Sequence, residues 1–274
     1  MGDGLQKVAG EGLKGIIRRL TKNRFMSVLV GMFVTTIIQS SSATTVMVVG
    51  FVNAGLMTLA QAVGVVFGAN IGTTITGQMV SFNLSQWAPL VIAAGLVANM
   101  LTKNPKVKEA SEIFIGFGIL FIGMSTLSTS LEPLKELPEF TNWILQYGSN
   151  PFIGVGIGLL MTLVLQSSSA TIGVLIALAS QGVLPITTAV FIIFGDNIGT
   201  CTTALISSLG TSRRGKQVAL FHLMINVIGT IYFMLFFRGI LVNVVEAIDP
   251  GNVARQIANA HTIFNIVNVI ILFP

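Results

Sequence analysis

Two short stretches carry most of the chemistry this sequence can do: Gln39-Ser40-Ser41-Ser42 and Gln166-Ser167-Ser168-Ser169. Serine hydroxyls and glutamine amides offer neutral oxygens to a hard cation and donors to an oxyanion, so one cluster can serve either ligand. Each stretch is followed by a second polar motif. The first is Gly68-Ala69-Asn70-Ile71-Gly72-Thr73-Thr74; the second is Gly195-Asp196-Asn197-Ile198-Gly199-Thr200, with Thr202 just beyond it. The second pair lies 127 residues after the first. Aligning 39–76 on 166–203 without a gap gives 16 identities in 38 positions, far more than biased composition returns by chance. A lone serine cluster in an apolar helix most simply serves helix packing and hydrogen bonding. Two copies at matched spacing, each interrupting apolar sequence, favour a binding site.

The elements that must position these groups follow from composition. Of 274 residues, 53% are apolar and only 9% charged, against roughly 25% charged in soluble domains. This excludes a soluble enzyme, a nucleic-acid binder and a disordered chain. The single cysteine, Cys201, excludes a disulfide framework and a cysteine zinc site. Four segments can span a bilayer or nearly so: 86–101, 111–127, 217–237 and 255–273. Residues 26–38 and 43–55 flank the first serine cluster as arms of about 20 Å, too short for roughly 30 Å of hydrocarbon. They are expected to form a re-entrant hairpin that enters and leaves on one side. Residues 57–82 can span, with a break expected across Gly68 to Thr73, which membrane depth tolerates only inside protein or beside a cavity. The same arrangement is expected in the second copy.

Between the two hairpins the chain crosses three times, so the second copy is inverted relative to the first. Lysine and arginine placement agrees. Twelve of the fifteen fall on one side, in the N-terminal segment and the 102–110 and 211–216 loops, leaving Lys135, Arg238 and Arg255 on the other. That bias places the N-terminus and the 211–216 loop in the cytoplasm, with the chain multi-pass in the cell (inner or plasma) membrane. The expected fold is an all-α membrane protein with two inverted-topology repeats, 1–110 and 111–237, and a final span in 238–274. Leu5, Val8, Leu13, Ile16, Ile17 and Leu20 recur opposite Lys7, Lys14 and Arg18, as in an interfacial amphipathic helix. The span 111–127 has no counterpart before the first hairpin, so a further span upstream of Met1, or a partner covering that surface, is expected.

The paired Gln-Ser-Ser-Ser tips, each followed by Asn-Ile-Gly-Thr at equal spacing, resemble the type II sodium/phosphate cotransporter family, bacterial members above all. The resemblance implies sodium-driven movement of inorganic phosphate, with both hairpin tips meeting near mid-membrane. It implies no enzyme activity and no cofactor beyond co-transported sodium. Phosphate, sodium and the lipid bilayer are the implied partners; a nucleic acid is not, and a homodimer is compatible with the reading. The substrate and sodium site then draws on Gln39, Ser40, Ser41, Ser42, Asn70, Thr73, Thr74, Gln166, Ser167, Ser168, Ser169, Asp196, Asn197, Thr200 and Thr202.

Helix N-termini at Ala43, Ala170, Thr73 and Thr200 would face the anion, and carbonyls at Ile38, Leu165, Phe67 and Phe194 would face sodium. Asp196, the sole acid placed inside the membrane, is expensive there unless paired. It is the leading sodium ligand, with Asn197, Gln39 and Gln166. Another oxyanion or a dicarboxylate as substrate, or an ion channel, remain the competing readings. His222–Asn226 and His261–Asn265 share a four-residue spacing; hydrogen-bonded helix contacts explain them more simply than a metal site or a serine hydrolase. Trp87, Trp143, Tyr147 and Tyr232 suit interfacial anchoring, and 131–140 a solvated acidic loop.

Overall fold

The computed structural model describes residues 21, 23–82, 84–137, 139 and 150–274. The expected N-terminal amphipathic helix, Trp143 and Tyr147 lie outside them. Among the described residues all regular structure is helical, as the lack of backbone partners in hydrocarbon requires. In order these are α1 (Arg24–Ile38), α2 (Ser41–Asn53), α3 (Leu59–Gly72), α4 (Thr74–Ser81), α5 (Ala88–Leu101), α6 (Pro105–Leu131), α7 (Pro151–Leu165), α8 (Ser168–Ser180), α9 (Ile186–Gly199), α10 (Cys201–Ser208), α11 (Arg213–Tyr232), α12 (Arg238–Ile248) and α13 (Val253–Leu272). Local chemistry sets their starts. Asn23, Ser40, Asn104, Asn150, Ser167, Ser212 and Asn252 accept first-turn backbone N–H groups, and Thr58 with Gln61 forms a capping box.

Helices α1 to α4 and α7 to α10 share their bounds when the first set is shifted by 127 residues. The joint within each hairpin is also the same. Gln39 and Gln166 adopt left-handed backbone at φ 59° and 55°. Ser40 and Ser167 are extended, and each caps the next helix through the N–H of Ala43 or Ala170. Two residues thus reverse the chain between a 15-residue and a 13-residue helix.

The expected break across Gly68 to Thr73 is corrected. Helix α3 continues through that run, and the interruption is confined to Thr73, whose N–H still reaches the Ala69 carbonyl. Thr200 is the same, bonding Asp196. The glycines serve close packing instead. A Cβ on Gly68 would run into the Val28 carbonyl, and one on Gly195 into that of Val155. Glycine here lets α3 lie directly on α1, and α9 on α7. Phe67 and Phe194 therefore sit inside helices and offer no open carbonyl. The Phe194 carbonyl accepts a hydrogen bond from the Thr230 hydroxyl at 3.3 Å.

Among the described residues four helices are long and apolar enough to cross a membrane: Leu59–Ser81, Pro105–Leu134, Ile186–Ser208 and Arg213–Ile248. The expected spans 111–127 and 217–237 fall within two of these. The segment 86–101 does not, being a 14-residue α5 after a short 3-10 turn. Nor does 255–273, because the buried amides of Gln256, Asn265 and Asn268 dilute the apolar character of α13. Helix α11 runs on through a π turn, Phe233–Phe237, into α12. The acidic loop begins as a 3-10 turn over Glu132–Glu136.

Burial ranks the spans. In their most apolar stretches, 67% of Leu59–Ser81 and 72% of Ile186–Ser208 is buried, against 11% of Pro105–Leu134. Helices α3–α4 and α9–α10 are the centre, and the α5–α6 pair is peripheral. Helix α11 packs on α2, α3, α9 and α10, and α13 packs on α8, α9, α3 and α4. The 127-residue shift exchanges those two sets. Helices α11 and α13, which share the His-x-x-x-Asn spacing, thus occupy equivalent places.

Candidate substrate and ion site

The hairpin tips are tied to the joints of the central helices. The Gln39 amide donates to the Thr36 carbonyl, and its Oε1 accepts from the Thr76 hydroxyl, both at 2.5 Å. In the second copy Gln166 donates to the Leu163 carbonyl at 2.5 Å and accepts from Thr203 at 3.3 Å. Across the two halves, the Thr73 and Ser168 hydroxyls meet at 3.4 Å, so the second tip touches the joint between α3 and α4. Ser41 and Ser168 are buried in the first turns of α2 and α8. Ser41, Ser42, Ser169, Thr200 and Thr202 make no side-chain hydrogen bond to another described residue. Thr74 turns back to the Ile71 carbonyl.

Asp196 is fully buried. Its Oδ1 accepts a 2.6 Å hydrogen bond from Thr162, whose hydroxyl also lies 3.0 Å from that of Thr171. These threonines stand one turn on either side of the Gln166-Ser167 tip. The first copy keeps the pair, Thr35 donating to Thr44 at 2.9 Å, but offers Ala69 in place of the carboxylate. Oδ2 of Asp196 is buried with no hydrogen-bond partner. Asn197, its neighbour, donates to the Ile193 carbonyl at 2.8 Å. No hydrogen bond joins Asp196 to Gln39, Gln166, Asn197 or Thr200 through their side chains among the described residues.

A second network crosses the centre. Asn70 Oδ1 meets Nε2 of His222, and Asn70 Nδ2 donates to Asn226 Oδ1, both at 3.1 Å. Asn226 in turn donates to Cys201 Sγ at 3.2 Å and to the His222 carbonyl. On α13, Asn265 donates to the His261 carbonyl at 2.9 Å, while both ring nitrogens of His261 and Oδ1 of Asn265 are buried without partners. A Cβ on Gly77 of α4 would lie 3.9 Å from His261 Nδ1. No group of three or more His, Cys, Asp or Glu forms among the described residues.

Thr76, Thr203, Thr162, Thr171, Thr35 and Thr44 escaped the sequence reading. All six were visible in the repeat, since at the 127-residue offset Thr35 matches Thr162, Thr44 matches Thr171 and Thr76 matches Thr203. The missing step was to treat a matched threonine one turn from the tip as an anchor.

A bundle of apolar helices that buries a carboxylate and includes, among the described residues, four helices able to cross a membrane is a multi-pass membrane protein. The sequence profile of the Na+/Pi-cotransporter family matches residues 1–129 and again residues 122–248. The chain belongs to this family, whose members are transporters and not enzymes. It is 28% identical over 271 residues to the uncharacterized Bacillus subtilis protein YqeW, covering 99% of this chain and 87% of that protein. It is 23% identical to the Escherichia coli K12 protein YjbB, named for inorganic phosphate export, over 99% of this chain and 50% of YjbB. The chain thus spans half the length of YjbB. Over 61 residues, 22% of the chain, it is 41% identical to 10% of the rat sodium-dependent phosphate transport protein 2A. No solved structure matches.

Proposed function

We propose that this chain moves inorganic phosphate together with sodium across the cell membrane by alternating access. Family membership and the relatives named for phosphate support the substrate. In this reading 1–110 and 111–237 are inverted repeats, the two hairpins are re-entrant from opposite sides, and the 211–216 loop is cytoplasmic. Phosphate lies between the tips. It is held by Ser40, Ser41, Ser42, Ser167, Ser168 and Ser169, by Asn70 and Thr73, and by the free first-turn N–H groups of α2 and α8.

The observation that carries sodium coupling is Asp196. An ionised carboxylate in a dry interior costs several kcal/mol unless compensated. Among the described residues the Thr162 hydroxyl donates to Asp196 and no ion pair to it forms. A sodium ion bound at Oδ2, completed by oxygens of Asn197, Thr200 and the tip glutamines, supplies the missing charge. The same ion offsets the charge of phosphate, which carries roughly two negative charges at neutral pH. Phosphate without sodium would then be electrostatically excluded, and coupling follows.

The test is uptake of labelled phosphate into liposomes containing the purified chain, with sodium or choline outside. The reading expects uptake only with an inward sodium gradient. Equal uptake in choline contradicts it.

A further inference from the structure

We propose that the corner between α10 and α11 holds one anionic phospholipid, its headgroup on Arg213 and Lys216 and an acyl chain along the α10–α11 groove. The inference is independent of what the chain transports.

A groove of about 460 Å3 runs along this corner. Its walls are Leu205, Ile206, Leu209 and Leu220, and Arg213 and Lys216 line it as well. Ile206 is 61% exposed, Leu209 72% and Leu220 50%. Spacings of three and four residues put Arg213, Lys216 and Leu220 on one side of α11. The groove is therefore apolar along its walls and carries two positive charges from the first turn of α11.

Nothing in the local fold explains those charges. Arg213, Arg214 and Lys216 occupy the first turn of α11, which holds no acidic residue. The positive end of the helix dipole disfavours cations there. No acidic residue lines the groove, and the sequence has none between Asp196 and Glu246. Loop cations near a span end follow from membrane orientation, but orientation does not call for an exposed apolar channel beside them. A diacyl lipid with a phosphate headgroup answers both halves, because its anion relieves the crowded positive charge and its chain covers the leucines. The site also adjoins a structural tie: the Ser212 N–H donates to Asn53 Oδ1 at 2.8 Å, joining this corner to the base of the first hairpin.

The test is native mass spectrometry of the full chain in detergent, titrated with phosphatidylglycerol or phosphatidylcholine of identical acyl chains. Each basic side chain near a headgroup contributes about 1 kcal/mol, so two give a preference for phosphatidylglycerol of about 30-fold. The R213Q/K216Q pair is expected to abolish that preference. The charge-matched K103Q/K106Q pair in the other loop is expected to keep it. Leu209→Asn, with the cations intact, is expected to shorten lipid retention, and it stands in should R213Q/K216Q not fold. Four results overturn the proposal: equal retention of both lipids, an unchanged preference in R213Q/K216Q, an equal loss in K103Q/K106Q, or displacement of phosphatidylglycerol by inorganic phosphate.

Discussion

Replacing Thr162 by valine keeps its shape and removes the hydroxyl that donates to Asp196 Oδ1. Thr162 is 2% exposed and its bond to Oδ1 is 2.6 Å, so water cannot take its place. A hydrogen bond to a charged group contributes about 1.5–3 kcal/mol, and one between neutral groups about 0.5–1.5. The first copy supplies the control. Thr35 makes the same hydroxyl contact, to Thr44 at 2.9 Å, with Ala69 where the carboxylate would be. Thr162→Val is therefore expected to destabilise the protein by about 2 kcal/mol, and Thr35→Val by about 1 kcal/mol. In an Asp196→Ala background the cost of Thr162→Val should fall to that of Thr35→Val, a coupling energy of about 1 kcal/mol. The assay is denaturant unfolding of the purified chain in detergent and saturating sodium, on all four members of the cycle and on Thr35→Val. Equal costs for the two threonines, or no coupling between Thr162 and Asp196, would refute the claim that Asp196 depends on the hairpin threonines.

Gly68→Ala and Gly195→Ala force a methyl group into the Val28 and Val155 carbonyls, so each should cost about 1–3 kcal/mol by overpacking. Gly50→Ala, which meets nothing within 4 Å, should be neutral or stabilise by up to about 1 kcal/mol. Thermal unfolding of the three variants checks the contrast. Asn70→Leu removes both bonds from α3 to His222 and Asn226 and leaves their buried partners unsatisfied, a cost of about 1–3 kcal/mol, measured by the same unfolding assay. Gln39→Asn keeps a residue that tolerates left-handed backbone but is one methylene too short to hold Thr76. Phosphate flux should fall roughly 5-fold, matching Thr76→Val, as one hydrogen bond of about 1 kcal/mol is lost. A wild-type rate in either variant would detach the tip from the joint.

The repeat was legible because the polar motifs sit at fixed offsets, and a duplicated sequence with matched caps at Ser40 and Ser167 gives duplicated helix bounds. The short hairpin arms were equally plain, since 13 to 15 residues limit a helix to about 20 Å. Glycine misled the reading of α3 and α9. The sequence shows that Gly68 and Gly195 weaken a helix, but only the neighbour Val28 or Val155 shows that they permit close approach instead. Arg238 looked like the end of a span, yet the helix runs through it, with its guanidinium 4.9 Å from the Phe191 ring centre. At the site, the residue types were visible and their partners were not. Asp196 stood out by charge, but its bond to Thr162 joins residues 34 apart, and no local pattern encodes that contact. The equivalence of α11 and α13 was hinted at by two His-x-x-x-Asn spacings and became clear only from the helices each one touches.

The proposed sodium coupling depends on sodium bound at Asp196, and the ratio of labelled sodium to labelled phosphate moved by liposomes tests it most directly. Asp196→Ala makes the second copy match Ala69 of the first while leaving both serine tips intact. The variant is expected to move one fewer sodium ion per phosphate and still to recognise phosphate. An unchanged ratio would contradict the account, because the carboxylate would then hold no transported sodium.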